Sequence, residues 1–185
     1  MRRRDFIRYL GLGSVAVTIP EAMHAVPAAA TTLCSDKKTK PISGSWFEFQ
    51  HSAAEGGYWN EALAHFTADQ WRRKVFEIRE VGMEYLVLMG VARAGKPFYP
   101  SKIAPRIPMG CDDPLEAVLS AADECGIKFF VSNDFWGDLD AYNMMLDKGV
   151  QTVRFQAMEE IAERYSHHAC FYGWYFPNEA MLQPY

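Results

Sequence analysis

The sequence predicts an α/β fold of the (β/α)8-barrel type, of which this chain covers about the first four βα units. Short apolar runs alternate with amphipathic helical segments from residue 41 onward. Polar and aromatic residues follow these runs, and no glycine pattern of a nucleotide-binding turn follows the first one. A barrel carries its chemistry on the loops after its strands, so it explains this distribution better than a doubly wound sheet.

The first half of the domain shows two strands around one helix. Residues 42–50 are short, apolar and aromatic and lie between Pro and Gly, as expected of a buried strand. Thr67 is a helix cap, Trp71 belongs to the buried stripe of that helix, and Gly82 ends it. Residues 85–91 are too continuously apolar for a half-exposed strand, which predicts a parallel strand covered on both faces.

A second helix follows a loop rich in Pro and Gly at residues 92–111. Asp112 or Asp113 caps it, Pro114 occupies its first turn and Gly126 closes it. This order of cap, proline and closing glycine predicts a helix that begins and ends sharply.

The pattern then repeats to the end of the domain. Residues 127–131 predict a third strand, and residues 171–176 predict a fourth. Between them, a helix runs from a point after Leu139 to about Tyr165. Four of its side chains are predicted to face inward, namely Val153, Met158, Ile161 and Ala162.

Composition narrows the classes of protein. The chain has 185 residues, 49% of them apolar, a net charge of -4 and a pI near 5.7. These values exclude disordered and multi-span membrane chains and predict no nucleic-acid partner. The four cysteines show no zinc spacing, so no metal is expected. No cofactor is expected either. The disulfide state stays open for Cys34, Cys111, Cys125 and Cys170.

The N-terminus predicts export. Residues 1–30 have a basic start, an apolar stretch at residues 9–19 and a run of alanines before a polar linker at 31–40. The apolar stretch is shorter than the roughly 20 residues that span a bilayer, so no stable membrane insertion is expected. The order Arg3-Arg4-x-Phe6-Ile7-Arg8 resembles a twin-arginine signal, which implies a periplasmic or secreted protein. The alternative is a basic N-terminal arm of a cytosolic protein.

The segment FYGWYFPNE at residues 171–179 resembles the fourth strand of retaining glycoside hydrolases built on TIM barrels. In those enzymes the strand ends in Asn-Glu and the Glu is the acid/base. Residues 162–169, 44–48 and 67–71 extend the resemblance. The domain at 41–185 is therefore similar to the N-terminal half of a glycosidase-like TIM-barrel family of unknown function found in exported bacterial proteins.

Glu179 also has a physical case of its own. Glycosidic cleavage needs a proton donor, and desolvation beside aromatic residues raises the pKa of a carboxyl group into a useful range. Asn178 is placed to hydrogen-bond the sugar hydroxyl beside the reacting carbon. The alternative is a surface loop in which both side chains are solvated.

Other residues are also candidates for substrate contacts. Glu48 points into the barrel or pairs with Arg93, and Asn133 and Asp134 contact substrate or cap the next helix. His51 is a ligand contact or simply exposed, and the adjacent histidines His167 and His168 are expected to be structural. Sugar rings pack on aromatic surfaces, and the candidate platforms, some of which must be core, are Trp46, Tyr58, Trp59 and Trp136.

The sequence thus predicts an exported glycoside hydrolase acting on a poly- or oligosaccharide. Hydrolysis also needs a second carboxylate, about 5–5.5 Å away for retention or about 6.5–9.5 Å for inversion, which the resembled enzymes carry on a later strand. The alternatives are a noncatalytic carbohydrate-binding barrel and an inactive truncated fragment. A true half-barrel would expose a sheet edge and self-associate.

Overall fold

The structure of the protein is a computed structural model, and it describes residues 41–50, 61–134, 136–137 and 147–176. These residues belong to one compact unit, Pro41–Tyr185. Within them, no helix has both the length and the apolar character needed to cross a membrane. Several predictions lie outside the described residues, namely the signal at 1–30, the linker at 31–40, Cys34, His51, Tyr58, Trp59, Asn178 and Glu179.

Four parallel strands form the main sheet, in the order β1-β2-β5-β6. A separate two-stranded antiparallel hairpin pairs β3 with β4. The elements in chain order are β1 (Gly44–Phe47), a short 3-10 helix (Glu61–His65), α1 (Ala68–Glu80), β2 (Tyr85–Leu88), β3 (Ala92–Arg93), β4 (Lys96–Pro97), α2 (Pro114–Cys125), β5 (Lys128–Ser132), α3 (Lys148–Tyr165) and β6 (Phe171–Tyr175).

The strand order distinguishes the two α/β architectures that the sequence allowed. Each new strand of the main sheet adds on the same side as the one before it, as in a barrel. A doubly wound sheet instead reverses its order at a switch point. The described sheet has no such reversal, and the predicted partial (β/α)8 barrel is confirmed.

The strands are shorter than predicted at their ends. β1 covers 44–47 rather than 42–50, because it pairs with β2 only from Gly44 opposite Tyr85 to Phe47 opposite Leu88. β2 stops at Leu88 rather than at 91, since the chain there turns into the hairpin. Apolar runs therefore marked the strands correctly but not the extent of their pairing.

The two faces of the sheet differ in burial. On the helix-facing side, Phe47, Leu86 and Phe129 are buried in the core. On the opposite side, called here the inner face, Trp46, Val87 and Phe130 lie in register on neighbouring strands. Because side chains alternate along a strand, this face carries every second residue of β1, β2 and β5. On β6 a register shift against β5 breaks the alternation.

The inner face is concave. Trp46 on β1 and Tyr175 on β6 bring their ring centroids to 5.0 Å, although two strands separate β1 from β6. Strands lie about 4.8 Å apart, so a flat sheet would hold these two strands roughly 14 Å apart. Contact between the rings shows that the sheet curves toward this face, as a barrel wall does.

The helix caps follow the sequence. Thr67 forms a capping box with Gln70 at the start of α1, and Trp71 is buried as predicted. Asp113 rather than Asp112 caps α2, with Pro114 in the first turn and Gly126 in the left-handed conformation that ends the helix.

The inward-facing side of α3 was predicted only in part. Ile161 is buried as expected, whereas Val153, Met158 and Ala162 are half-buried. The stripe includes two charged side chains, Arg154 and Glu160, which are buried because each has partners on other segments.

The long connection between β2 and α2 is held against α3 by Glu160. Its carboxylate accepts hydrogen bonds from the Tyr99 hydroxyl at 3.1 Å, the Ser101 hydroxyl at 2.6 Å and the Lys102 N–H at 2.7 Å. The sequence indicated only a loop here and missed the β3–β4 hairpin, whose turn residues Ala94 and Gly95 both have positive φ. Burial beside Glu160 raises the pKa of Tyr99, so this hydroxyl stays protonated and keeps donating.

The cysteines of the described part are free thiols: Cys111, Cys125 and Cys170.

Gly110, beside the first of them, makes a close backbone approach. Its N–H donates to Ala64 O at 2.7 Å, and a Cβ on Gly110 would lie 2.6 Å from the carbonyl oxygen of His65. Only a residue without a side chain fits between the loop and the 3-10 helix.

We expect Gly110→Ala to lower the free energy of unfolding by about 1–3 kcal/mol, since one of the two backbones must move and the hydrogen bond to Ala64 is strained. Gly44→Ala is the matched control, because its Cβ would meet Tyr85 Cβ at an ordinary 3.4 Å. Urea denaturation of both variants measures the difference, and equal stabilities would contradict this account of Gly110.

Candidate active site at the carboxyl ends of the strands

The candidate site begins on β1 with Trp46 and Glu48. These two residues alternate with Phe47 and Phe49, which are buried on the helix-facing side. Trp46 is 57% exposed and Glu48 is half-buried, so both belong to the inner face. The prediction that Glu48 points into the barrel agrees with this placement.

Tyr175, the last residue of β6, lies against Trp46 with the two ring planes inclined at 59°. We call these two rings the aromatic corner. The sequence predicted Tyr175 only as part of the fourth strand, in the segment at 171–179, and this contact was missed. The register shift between β5 and β6 breaks the alternation along β6, so no local pattern predicted this placement of Tyr175. Its partner on β1 lies more than 100 residues earlier in the chain.

A polar contact lies beyond the ends of β1 and β2. The Arg93 guanidinium on β3 donates a hydrogen bond to Gln50 Oε1 at 3.2 Å. Among the contacts described, Arg93 therefore meets Gln50, two residues beyond the Glu48 that the sequence offered as its partner. The contact ties the loop after β1 to the hairpin after β2.

Asp134 follows β5 and pairs with α3. Its Oδ2 lies 2.7 Å from the Arg154 guanidinium, and the side chains of both residues are buried, at 1% and 5% exposure. The backbone N–H of Asp134 donates to the Ser132 hydroxyl at 3.2 Å. These described contacts hold the carboxylate toward the helix; a substrate contact stays a prediction.

Asn133 is buried beside it. Its backbone N–H donates to Tyr175 O at 3.2 Å, and its side-chain amide donates to Met158 Sδ on α3. The side-chain Oδ1 is buried without a hydrogen-bond partner. Neither Asn133 nor Asp134 caps α3, because Asp147 does so. Their predicted role at the substrate therefore stays untested.

Trp136 lies in the core rather than at the surface, with 6% exposure. Its indole N–H is buried without an acceptor. Of the predicted platforms within the described residues, Trp46 is thus the open one and Trp136 the covered one. Size and apolarity suit an aromatic residue to either place, which is why the sequence did not separate the two.

Together these features define a class of protein. Four parallel strands curve around a concave face, and their carboxyl ends bring aromatic, amide and carboxylate side chains to one edge, as in (β/α)8-barrel proteins. Comparison with families then gives the particular assignment. The family described as domain of unknown function (DUF4434) matches residues 42–185, and the chain belongs to it.

One solved structure agrees with the fold. A candidate alpha-L-fucosidase from Bacteroides thetaiotaomicron VPI-5482 superposes with a TM-score of 0.52 and 14% identity, over 84% of this chain and 46% of that one. A GH29 alpha-L-fucosidase from the same species matches with a TM-score of 0.44 and 17% identity, over 72% of this chain and 38% of that one. This chain thus spans less than half the length of each. No curated protein matches it.

A second cluster of titratable groups surrounds His168, at the start of β6. Its Nδ1 lies 2.7 Å from Asp123 Oδ2 and its Nε2 lies 3.1 Å from Glu116 Oε2. Asp123 also accepts the N–H of Cys170 at 2.6 Å. Donor atoms of Asp123, His168 and Cys170 lie within 4.8 Å of one another, as do those of Glu116, His167 and His168, which is close enough for a metal ion.

The hydrogen bonds favour the protonated, imidazolium form of His168, whose two ring nitrogens face two carboxylates. Burial lowers the pKa of His168, but the hydrogen bonds to Glu116 and Asp123 outweigh it and raise the pKa overall. Burial likewise raises the pKa of Asp123, and the hydrogen bonds from His168 and Cys170 outweigh it and lower the pKa. The cluster joins the chain entering β6 to α2, the structural role that the sequence predicted for His168.

This cluster predicts a pH-dependent stability. Because the pKa of His168 is raised on folding, its contribution is complete below its unfolded pKa of about 6.5 and is lost as the pH rises through the higher folded value. Asp123 acts in the opposite sense, and its contribution is lost as the pH falls through its lowered pKa. The stability lost by His168→Gln, measured in urea, is therefore greatest at mildly acidic pH and shrinks in alkali.

His167→Gln is the matched control, because it removes the exposed neighbouring imidazole and leaves the described pairs of His168 with Glu116 and Asp123 intact. It should show no comparable shrinkage between the two pH values. A His168→Gln effect of constant size at all pH values would contradict the imidazolium between two carboxylates.

Proposed function

We propose that the protein is an exported glycoside hydrolase acting on a poly- or oligosaccharide, with Glu179 as the general acid/base and Asn178 as the residue that holds the neighbouring sugar hydroxyl. The observation that supports it best is the order of the sheet. β6 is the fourth parallel strand and ends at Tyr175, four residues before Glu179. Barrel enzymes carry their catalytic groups just after strand ends.

The surroundings of that edge suit a sugar. The aromatic corner offers apolar surface for the C–H face of a ring, while Gln50 and Arg93 offer polar groups beside it. Trp46 is exposed on a concave face, and Glu48 follows it on the same face. A site of few polar groups around aromatic surface is typical of small-molecule recognition.

The described contacts bear on which residue could supply the second carboxylate. Asp134 is buried in an ion pair with Arg154, and an attacking carboxylate must be open to the sugar. Glu48 is half-buried on the inner face and suits a substrate contact better. In the resembled hydrolases the nucleophile stands on a later strand, so we assign neither residue to that role.

Export rests on the N-terminal sequence alone. We propose twin-arginine transport to the periplasm or the medium. Three features support it, namely the Arg3-Arg4 pair, the moderately apolar stretch and the alanine run. Polysaccharides are extracellular substrates, so this location agrees with the proposed activity.

We expect Glu179→Gln in the full-length gene product to lower kcat/KM by roughly 10²–10⁴-fold on aryl glycosides with poor leaving groups, because the leaving oxygen loses its proton donor. The loss should be smaller for dinitrophenyl glycosides, whose leaving group needs no proton. The panel includes an α-L-fucoside, since the superposed structure is a candidate alpha-L-fucosidase, together with β-glucosides and β-galactosides.

Glu163→Gln, on the exposed side of α3, is the matched control and should hydrolyse normally. If the unaltered protein binds saccharide and hydrolyses none of the panel, the noncatalytic carbohydrate-binding barrel replaces the hydrolase. A Glu179→Gln variant that remains fully active on poor leaving groups rejects Glu179 as the acid. A protein that neither binds nor cleaves saccharide rejects the whole proposal.

The double substitution Arg3→Lys and Arg4→Lys should keep the protein in the cytoplasm as an uncleaved precursor, since twin-arginine transport depends on that pair. Arg2→Lys keeps the pair and is the control. Fractionation and immunoblotting measure the distribution, and equal export of all three proteins would exclude the twin-arginine route.

A further inference from the structure

We propose that the aromatic corner, formed by Trp46 and Tyr175, is a saccharide subsite in which the two rings bind one sugar unit together. This inference rests on the proposed function and deepens it, because it assigns a binding role to Tyr175 and names the contact as packing of C–H groups on two inclined rings. The ligand class is a neutral pyranose unit of a larger saccharide.

The corner consists of two inclined rings in contact rather than one flat platform. The ring centroids are 5.0 Å apart and the ring planes meet at 59°. A single exposed ring contacts one face of a sugar, whereas two inclined rings contact one face and an adjoining edge. The two residues come from β1 and β6, so the ring pair exists only because the sheet is curved.

The corner is accessible in the part of the barrel that this chain covers. Trp46 is 57% exposed in spite of its contact with Tyr175, which is itself half-buried. Buried aromatic rings in this protein behave differently: Phe49 and Trp71 pack at 5.2 Å and are almost fully covered. Trp46 thus differs from the core rings in leaving part of its surface uncovered.

The opposite end of the inner face has its own aromatic contacts and offers a comparison. Tyr172, near the start of β6, packs on Phe130 at 5.2 Å and lies under the Lys128 ammonium at 4.5 Å. It is 55% exposed, similar to Trp46. Because it lies at the amino-terminal end of the strands, away from the edge where barrels bind ligands, we assign it no saccharide contact.

Carboxylate and amide groups follow the corner at the carboxyl-terminal edge, whereas the polar group described beside Tyr172 is the Lys128 ammonium. Glu48 lies two residues beyond Trp46 on the same face, and the Arg93–Gln50 hydrogen bond follows at the same edge. Sugar recognition combines an apolar ring face with hydroxyl groups that need donors and acceptors. The carboxyl-terminal edge carries both kinds of group, and this argues for a saccharide over a purely apolar partner.

The test measures binding independently of hydrolysis, by affinity electrophoresis in gels that contain soluble glucan, xylan, galactan or fucoidan. Trp46→Ala and Tyr175→Ala should each weaken the retardation by at least about threefold in apparent affinity, as expected for loss of one aromatic contact. Trp46→Tyr and Tyr175→Phe keep a ring and should retain most of the affinity. Tyr172→Ala is the matched control from the same face and should bind normally.

The double variant separates a joint subsite from two independent contacts. If one sugar unit touches both rings, the double variant loses less affinity than the product of the two single losses. Independent losses that multiply, or unchanged binding of both alanine variants, overturn the proposal. Thermal unfolding of each variant shows whether it is folded. If the alanine variants do not fold, the variants that keep a ring decide the question. Trp46→Tyr and Tyr175→Phe must then bind saccharide, and Trp46→Leu must bind it less tightly.

Two further outcomes are distinct. If Trp46→Ala converts a dimer to a monomer in light scattering and no polysaccharide retards the unaltered protein, a second copy covers this face and the subsite is rejected. If Glu179→Gln leaves hydrolysis unchanged while both alanine variants lose affinity, the subsite stands and the assignment of Glu179 fails.

Discussion

The shared direction of the four main strands is the constraint on which the rest depends. Because β1, β2, β5 and β6 are parallel, their carboxyl ends form one edge of the sheet, and residues far apart in sequence meet there. The curvature of the sheet turns that edge into a concave rim. The contact of Trp46 with Tyr175 is a direct consequence of both properties.

Buried polar groups on the helix side keep this rim in place. Glu160 binds the long connection that precedes α2, Arg154 pairs with Asp134 after β5, and His168 joins the approach to β6 to α2. Each is charged and well covered, and such groups are tolerated because hydrogen bonds replace their lost hydration. They position the ends of the strands and leave the inner face to aromatic residues.

The sequence predicted the elements better than it predicted the roles of single side chains. Thr67, Asp113 with Pro114, and Gly126 were recognised because a cap acts within one turn of its helix. The hairpin at β3 and β4 was missed, since its turn contains Ala94 at positive φ, a conformation that alanine rarely adopts. On α3, Arg154 and Glu160 were not placed inward because their partners lie on other segments.

The sequence by itself determined the alternation of strand and helix, the ends of the first two helices and hence the parallel barrel type, since these depend on periodicity and caps that act over a few residues. The tertiary structure alone decided which residues of the rim lie on the inner face of the sheet. Trp46 is open and Trp136 covered, and Glu48 lies on the inner face while Asp134 pairs toward a helix. The reason is physical: burial and pairing are set by groups that the chain brings together from distant positions, and no local pattern records them.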